Sequence, residues 1–199
     1  MAVEIEALIK TLEKHGTSWS VDSKLAQLGS REEVAAAVWA ARKAGRIGIQ
    51  AAELTLRNSA GAPETWNADD FCAFVTDLQH HCPNGVAPGG AVHLTEGLPG
   101  LAYGFWHLLV EKENDSAFGS AMRTQWTSLP KHYGSTVAYC LVVNGQMPVA
   151  ELPDDVMRVA AESYLRMPSH HELPGVARWL AGVSGVRWAS AMKEVALRP

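Results

Sequence analysis

Apolar residues in this chain recur mostly three and four positions apart, the spacing of a helix with one buried face. Ile5, Leu8, Ile9 and Leu12 form the first such stripe and predict a helix over residues 3–15, closed by Gly16. A short helix over Ser23–Leu28 follows, with Ser20 or Asp22 as its cap and Gly29 as its stop. Ser30 suits the N-cap of a third helix, and Glu33 stands where a capping box places its acid. The core stripe of that helix reads Val34, Ala37, Val38 and Ala41. Beyond Gly45 the pattern changes. Ile47 and Ile49, then Leu54 and Leu56, alternate as in extended chain, and Asn58-Ser59-Ala60-Gly61 reads as a turn.

Residues 58–66 read as a linker. From Asn67 the helical spacing returns. Asn67 caps a helix with Asp69 and Asp70 in its first turn, where carboxylates suit the helix dipole, and Phe71, Phe74, Val75, Leu78 and Cys82 are its buried stripe. A Gly/Pro-rich loop spans 83–97, a length at which loops without structure of their own are often functional. Pro99 opens a helix that is apolar on nearly every side except at His107 and Glu111, the pattern of a domain's central helix. Phe118, Met122, Trp126 and Leu129 mark another helix, stopped by Pro130. Val137–Val143 is an unbroken apolar run that fits a strand by its β-branched residues, or a buried helix by Ser135 before it and Asn144-Gly145 after it. The helical neighbours favour a helix. Pro153, Asp154 and Asp155 start a helix to Arg166, and Pro174–Val183 and Val186–Leu197 close the chain as a hairpin about Ser184-Gly185.

Within residues 4–57, the segment Lys24-Leu25-Ala26-Gln27-Leu28-Gly29-Ser30, with Val34, Val38, Ala41, Gly45, Arg46 and Ile47, resembles the winged form of the helix-turn-helix superfamily. The resemblance implies three helices followed by an extended pair, the wing. The fold expected is therefore mainly α: a small winged-helix-like module over 1–57, a linker over 58–66 and a larger all-helical domain over 67–199.

Composition limits what such a module does. The chain has 199 residues, 47% of them hydrophobic and 19% charged, which fits a globular protein. Its net charge is −4. Residues 1–57 carry eight Lys/Arg against seven Asp/Glu, and residues 58–199 carry nine against fourteen. Neither part has the cationic excess of a protein that neutralises many phosphates. The most apolar run, Leu98–Val110, has 13 residues and is too short to span a bilayer. The N-terminus has no signal-peptide pattern, and Cys72, Cys82 and Cys140 show no disulfide framework, so a cytoplasmic location without membrane contact is expected.

In the helix-turn-helix architecture the start of the second hairpin helix approaches the bases. Here that position holds Glu32 and Glu33, which repel phosphate. Arg31, Arg42, Lys43 and Arg46 are the candidate phosphate contacts, and any nucleic-acid binding is expected to be weak or to act through a complex. The outward arc of the helix carries Glu32 and Trp39, and an outward Trp beside small residues favours a protein partner. Trp19, Trp39 and Trp66, three of seven tryptophans, lie away from the strong core stripes. They either hold the module to the helical domain or meet a partner.

Candidate chemistry is sparse. Asp77, His80 and His81 share a helix face at i, i+3 and i+4, next to Cys82, and two of them could share a metal; His93 or the His170-His171 pair would have to complete the site. The cysteines sit in apolar runs where thiols are inert. There is no nucleophile elbow, phosphate loop or dinucleotide fingerprint, and no cofactor or catalytic residue is expected. A non-catalytic interaction protein, an adaptor or subunit working through a protein partner or a homo-oligomer, is the leading expectation. A weak DNA-binding regulator and a small metal-dependent enzyme are the alternatives.

Overall fold

A computed structural model of the chain describes residues 2–16, 31–82, 98–166 and 176–197. Among the described residues the regular structure is helical, with no strand. The expected helix at 23–28, Ser30, Trp19, the 83–97 loop, His93 and the His170-His171 pair lie outside them. The chain divides into two compact units, Met1–Trp66 and Asn67–Pro199.

In the first unit, α1 (Ala2–His15) buries Leu8, Ile9 and Leu12. Gly16, at φ +63°, ends it by donating its N–H to the Leu12 carbonyl. Helix α2 (Arg31–Lys43) buries Val34, Ala35, Val38 and Ala41; Ala35 takes the buried place expected of Ala37, which is half-buried. Gly45 (φ +72°) then turns the chain in a Schellman motif, with Gly45 N–H on the Arg42 carbonyl and Arg46 N–H on the Ala41 carbonyl.

The expected wing is not formed. Residues 49–60 are helical: α3 (Ile49–Thr55) runs into a π-helical turn, Leu56–Ala60, closed by Gly61 at φ +71°. The apolar residues at 49, 52 and 56 satisfy a helical repeat as well as alternation, and as a helix they bury Ile49, Ala52 and Leu56 together. The stretch read as a linker, 58–66, falls within the first unit and carries buried Ala60, Ala62 and Trp66.

The second unit opens at α4 (Ala68–His81), where Asn67 and Asp70 form a capping box and Phe71, Phe74, Val75 and Leu78 are buried as expected. Helices α5 (Leu98–Val110) and α6 (Ser116–Gln125) follow, the second capped by Asp115. The centre of this unit is not α5, as the apolar pattern suggested, but α7 (Lys131–Val143). All eleven residues from Tyr133 to Val143 are buried, and the run that fitted either a strand or a helix is helical. A second Schellman motif at Asn144-Gly145-Gln146 stops it, with Gln146 N–H on the Leu141 carbonyl. Helices α8 (Asp154–Arg166), α9 (Val176–Gly182) and α10 (Gly185–Ala196) complete the unit.

Two aromatic chains tie these helices together. Phe71 of α4 meets Phe105 of α5 and Phe118 of α6, and Phe105 meets Tyr133 of α7, each at 6.0 Å between ring centroids. The Tyr133 hydroxyl donates to the Cys82 carbonyl and so fixes the end of α4 against α7. Tyr139 of α7 packs edge-on against Trp179 of α9 at 5.6 Å; Trp179 meets Trp188 of α10 at 4.9 Å; Trp188 meets Tyr164 of α8 at 5.7 Å. Such edge-to-face pairs stabilise by about 0.5–1.5 kcal/mol each beyond the area they bury. Among the described residues no helix is long and apolar enough to cross a membrane.

Gly134 lets α7 approach the preceding turn. A Cβ there would lie 2.7 Å from the Trp126 carbonyl oxygen, which is backbone and cannot swing away. Gly134→Ala is expected to destabilise the protein by about 1–3 kcal/mol, read as a lower urea midpoint at unchanged slope. Gly185→Ala, in the first turn of α10 where nothing lies within 4 Å of the new methyl, is the control and should leave the midpoint level or higher.

Candidate functional site

In the first unit a groove of about 690 Å³ lies between α1 and α2. Ile5 and Ile9 of α1 line one wall, and Ala37, Ala40, Ala41 and Ala44 line the other. The alanines fall at i, i+3, i+4 and i+7, so one face of α2 is reduced to methyl groups, and that is what leaves the space. Glu6, Glu33 and Arg46 supply its charged lining.

Arg46 is held by two carboxylates of α1. Its Nε donates to Glu13 Oε1 at 2.6 Å and its Nη2 to Glu6 Oε1 at 2.9 Å. The Schellman turn at Gly45 places it: the chain reverses at the end of α2 and brings residue 46 back beside α1. The hydrogen bond from Arg46 holds the Glu6 carboxyl below the usual carboxylate range, and the bonds to Glu13 and then Glu6 push the guanidinium pKa up. The groove lining itself carries two carboxylates, Glu6 and Glu33, and one guanidinium, Arg46, and Lys10 lies close enough to lower the Glu6 pKa further.

Arg46, expected to touch phosphate, thus has an intramolecular role. Arg42 is half-buried and its Nη1 donates to the Ile47 carbonyl at 3.4 Å. The Lys43 ammonium sits 5.8 Å from the Trp39 ring centroid, within cation–π range. Arg31 is exposed at the start of α2 beside Glu32 and Glu33.

The expected partner residues also make internal contacts. Trp39 is half-buried, with its ring edge-on to the buried Trp66 at 4.9 Å. Glu32 Oε2 accepts the Glu64 backbone N–H at 2.7 Å. Together these hold residues 64–66 against α2. Among the described residues, Ala40 and Ala44 are exposed and Ala37 half-buried on the alanine side of α2.

In the second unit α4 brings Asp77 and His81 together: His81 Nδ1 lies 2.9 Å from the Asp77 carbonyl oxygen and 3.4 Å from Asp77 Oδ1. His80 is exposed, with its ring 5.5 Å from that of His81. Cys82 does not join them, being fully buried. Among the described residues no three His, Cys, Asp or Glu side chains are grouped to hold a metal. The thiols are not primed as nucleophiles. Burial pushes the pKa of both Cys72 and Cys140 up, with Asp69 adding to the rise at Cys72. The Cys72 thiol instead lies 3.4 Å from Gln125 Oε1.

A buried ion pair was not anticipated. Glu53 and Arg57, four apart across the α3–π junction, lie 3.2 Å apart with both side chains nearly closed to solvent. Burial raises the Glu53 pKa and Arg57 opposes it. Their i, i+4 spacing was the available signal that 49–57 is helix and not wing. Comparison with protein-family models, curated proteins and solved structures returned no match.

The Arg46 clasp has a pH signature. A carboxylate with a lowered folded pKa contributes stability that is full above its unfolded pKa and lost as pH falls through the folded one. In Arg46→Met the Glu6 carboxyl is expected to return toward its ordinary value, followed by carboxyl NMR titration; a Glu6 titration unmoved by the substitution would contradict the clasp.

Proposed function

We propose that this chain is a non-catalytic interaction protein whose N-terminal unit takes an amphipathic helix of a partner protein into the α1–α2 groove. The observation that carries this reading is the groove: an apolar floor of alanine and isoleucine on two helices, with a net negative lining. Shallow methyl-lined helix surfaces accept bulky side chains presented at i, i+3, i+4 and i+7, the pattern of helix-in-groove recognition. The lining has two carboxylates, Glu6 and Glu33, to one cation, Arg46, which favours a helix with Lys or Arg beside its apolar stripe.

The nucleic-acid alternative is disfavoured by the engagement of Arg46, Arg42 and Lys43 within the unit. The metal-enzyme alternative is disfavoured by the pairing of His81 with its own helix and the burial of Cys82.

Fluorescence anisotropy with two labelled helical peptides tests the reading, one with a Leu stripe flanked by Lys and one with the same stripe flanked by Glu. Saturable binding of the Lys peptide is expected, weakened by salt and reduced roughly tenfold or more by Ala40→Arg, which fills the groove and adds a like charge. Ala40 is exposed, so the fold tolerates the change. Equal binding of both peptides, binding indifferent to Ala40→Arg, or a concentration-dependent dimer by light scattering that Ala40→Arg abolishes would each overturn it, the last by assigning the groove to a second copy.

A further inference from the structure

Helix α10 has two different sides. Ala191 and Val195 are buried on one, with Trp188 and Met192 half-buried beside them. On the other, Val186, Ser190, Lys193 and Leu197 follow at i, i+4, i+7 and i+11, all exposed. Val186 is 83% exposed and Leu197 73%; with Leu165 of α8 they are the exposed large hydrophobic residues among the described ones. A lone exposed apolar residue needs no explanation. These two end one stripe, three helical turns apart, and Val186 also lines a hollow of about 310 Å³ together with Met157 of α8 and Ser190 and Ala191 of α10.

The flanks of the stripe differ in charge. Arg187 and Glu194, seven apart, lie on one flank and also line the hollow. Arg187 is held there by Asp154 Oδ1, 3.0 Å from Nη2, and by the Leu152 carbonyl at 2.6 Å. The Glu194 carboxylate lies 3.8 Å from Arg158 Nη1 with its side chain 55% exposed. The opposite flank, Gly185, Ala189 and Ala196, is uncharged and exposed.

We propose that this face is an interface between two copies of the chain, with α10 packed antiparallel on α10 of the second copy about a two-fold axis between residues 191 and 192. The face is self-complementary under that operation, as an isologous contact requires. Val186 meets Leu197 of the second copy, and Leu197 meets its Val186. Ser190 and Lys193 face each other near the axis, where the small serine lets the helices approach. Arg187 lies on the same flank as Glu194 of the second copy, offset by two residues or about 3 Å along the axis, so two charge pairs form across the contact. A parallel pairing would instead set Arg187 against Arg187 and Glu194 against Glu194, which selects the antiparallel arrangement. Lys193 opposes the contact, because it nears its own copy across the axis; the alanine flank gives it room to lean outward. Two helices of 12 residues bury less than the roughly 1,200 Å² of a standard interface. The dimer is therefore weak, with a dissociation constant of about 10 µM to 1 mM. This face belongs to the second unit, and the proposal stands without the α1–α2 groove.

Sedimentation of the full chain over that concentration range tests it, with a monomer–dimer equilibrium expected. Val186→Lys and Leu197→Lys, each on an exposed residue, should weaken the dimer roughly tenfold or more. Lys193→Gln removes the like-charge contact and should strengthen it roughly threefold to tenfold, a gain that a damaged fold would not give. Ala40→Arg should leave it unchanged, which separates this contact from one through the groove. On oxidation, Val186→Cys mixed with Leu197→Cys should cross-link one of each. Neither should cross-link to itself, since like positions stand about 16 Å apart along the helix axis. A monomer at every concentration would overturn the proposal, as would a dimer indifferent to both lysine substitutions or one abolished by Ala40→Arg. Self-cross-linking of Val186→Cys as efficient as the mixed reaction would overturn the antiparallel arrangement and the proposal with it.

Discussion

The second unit depends on burying one helix on every side. From Tyr133 to Val143 helix α7 leaves no solvent face, so the surrounding helices must each offer it an apolar stripe. Burying Tyr133, Ser135 and Thr136 with it is tolerated because their hydroxyls find acceptors, at the Cys82 carbonyl, Asp155 Oδ2 and the His132 carbonyl. The two aromatic chains start from opposite ends of this helix, at Tyr133 and at Tyr139. A fully buried helix needs an abrupt stop, and the Schellman turn at Gly145 supplies it.

The first unit is organised by a different device. Beside the buried Leu8, Ile9, Leu12, Val34 and Val38, ion pairs help to fix how its segments meet. Arg46 reaches Glu6 and Glu13 on α1, while Glu53 and Arg57 meet inside the unit. An exposed clasp of this kind contributes modestly to stability. Its consequence is geometric: α1 and α2 are held at one side while, among the described residues, Ala40 and Ala44 of the alanine face stay exposed.

Much of this was legible in the sequence. The stripe of α4 reads directly from Phe71, Phe74, Val75 and Leu78, and its capping box from Asn67 and Asp70, because a long amphipathic repeat bounded by a good cap has few alternatives. Where the pattern misled, it was short. Ile47, Ile49, Leu54 and Leu56 alternate over too few residues to exclude the helix that Ile49, Ala52 and Leu56 build, and the extended pair was read from that alternation. The centre of the second unit was assigned to α5 because its own composition is most apolar, yet burial is decided by neighbours. The candidate sites were less legible still. Nothing local says that Arg46 reaches back across some forty positions to Glu6, or that Trp39 finds Trp66. The groove is a property of what α2 lacks.

Amide hydrogen exchange of the full chain, with and without the Lys-flanked peptide, tests whether the alanine face of α2 receives a partner helix as proposed. Slowed exchange in α1 and α2 is expected, with the second unit unchanged. Protection confined to the second unit, or none anywhere at saturating peptide, would contradict it.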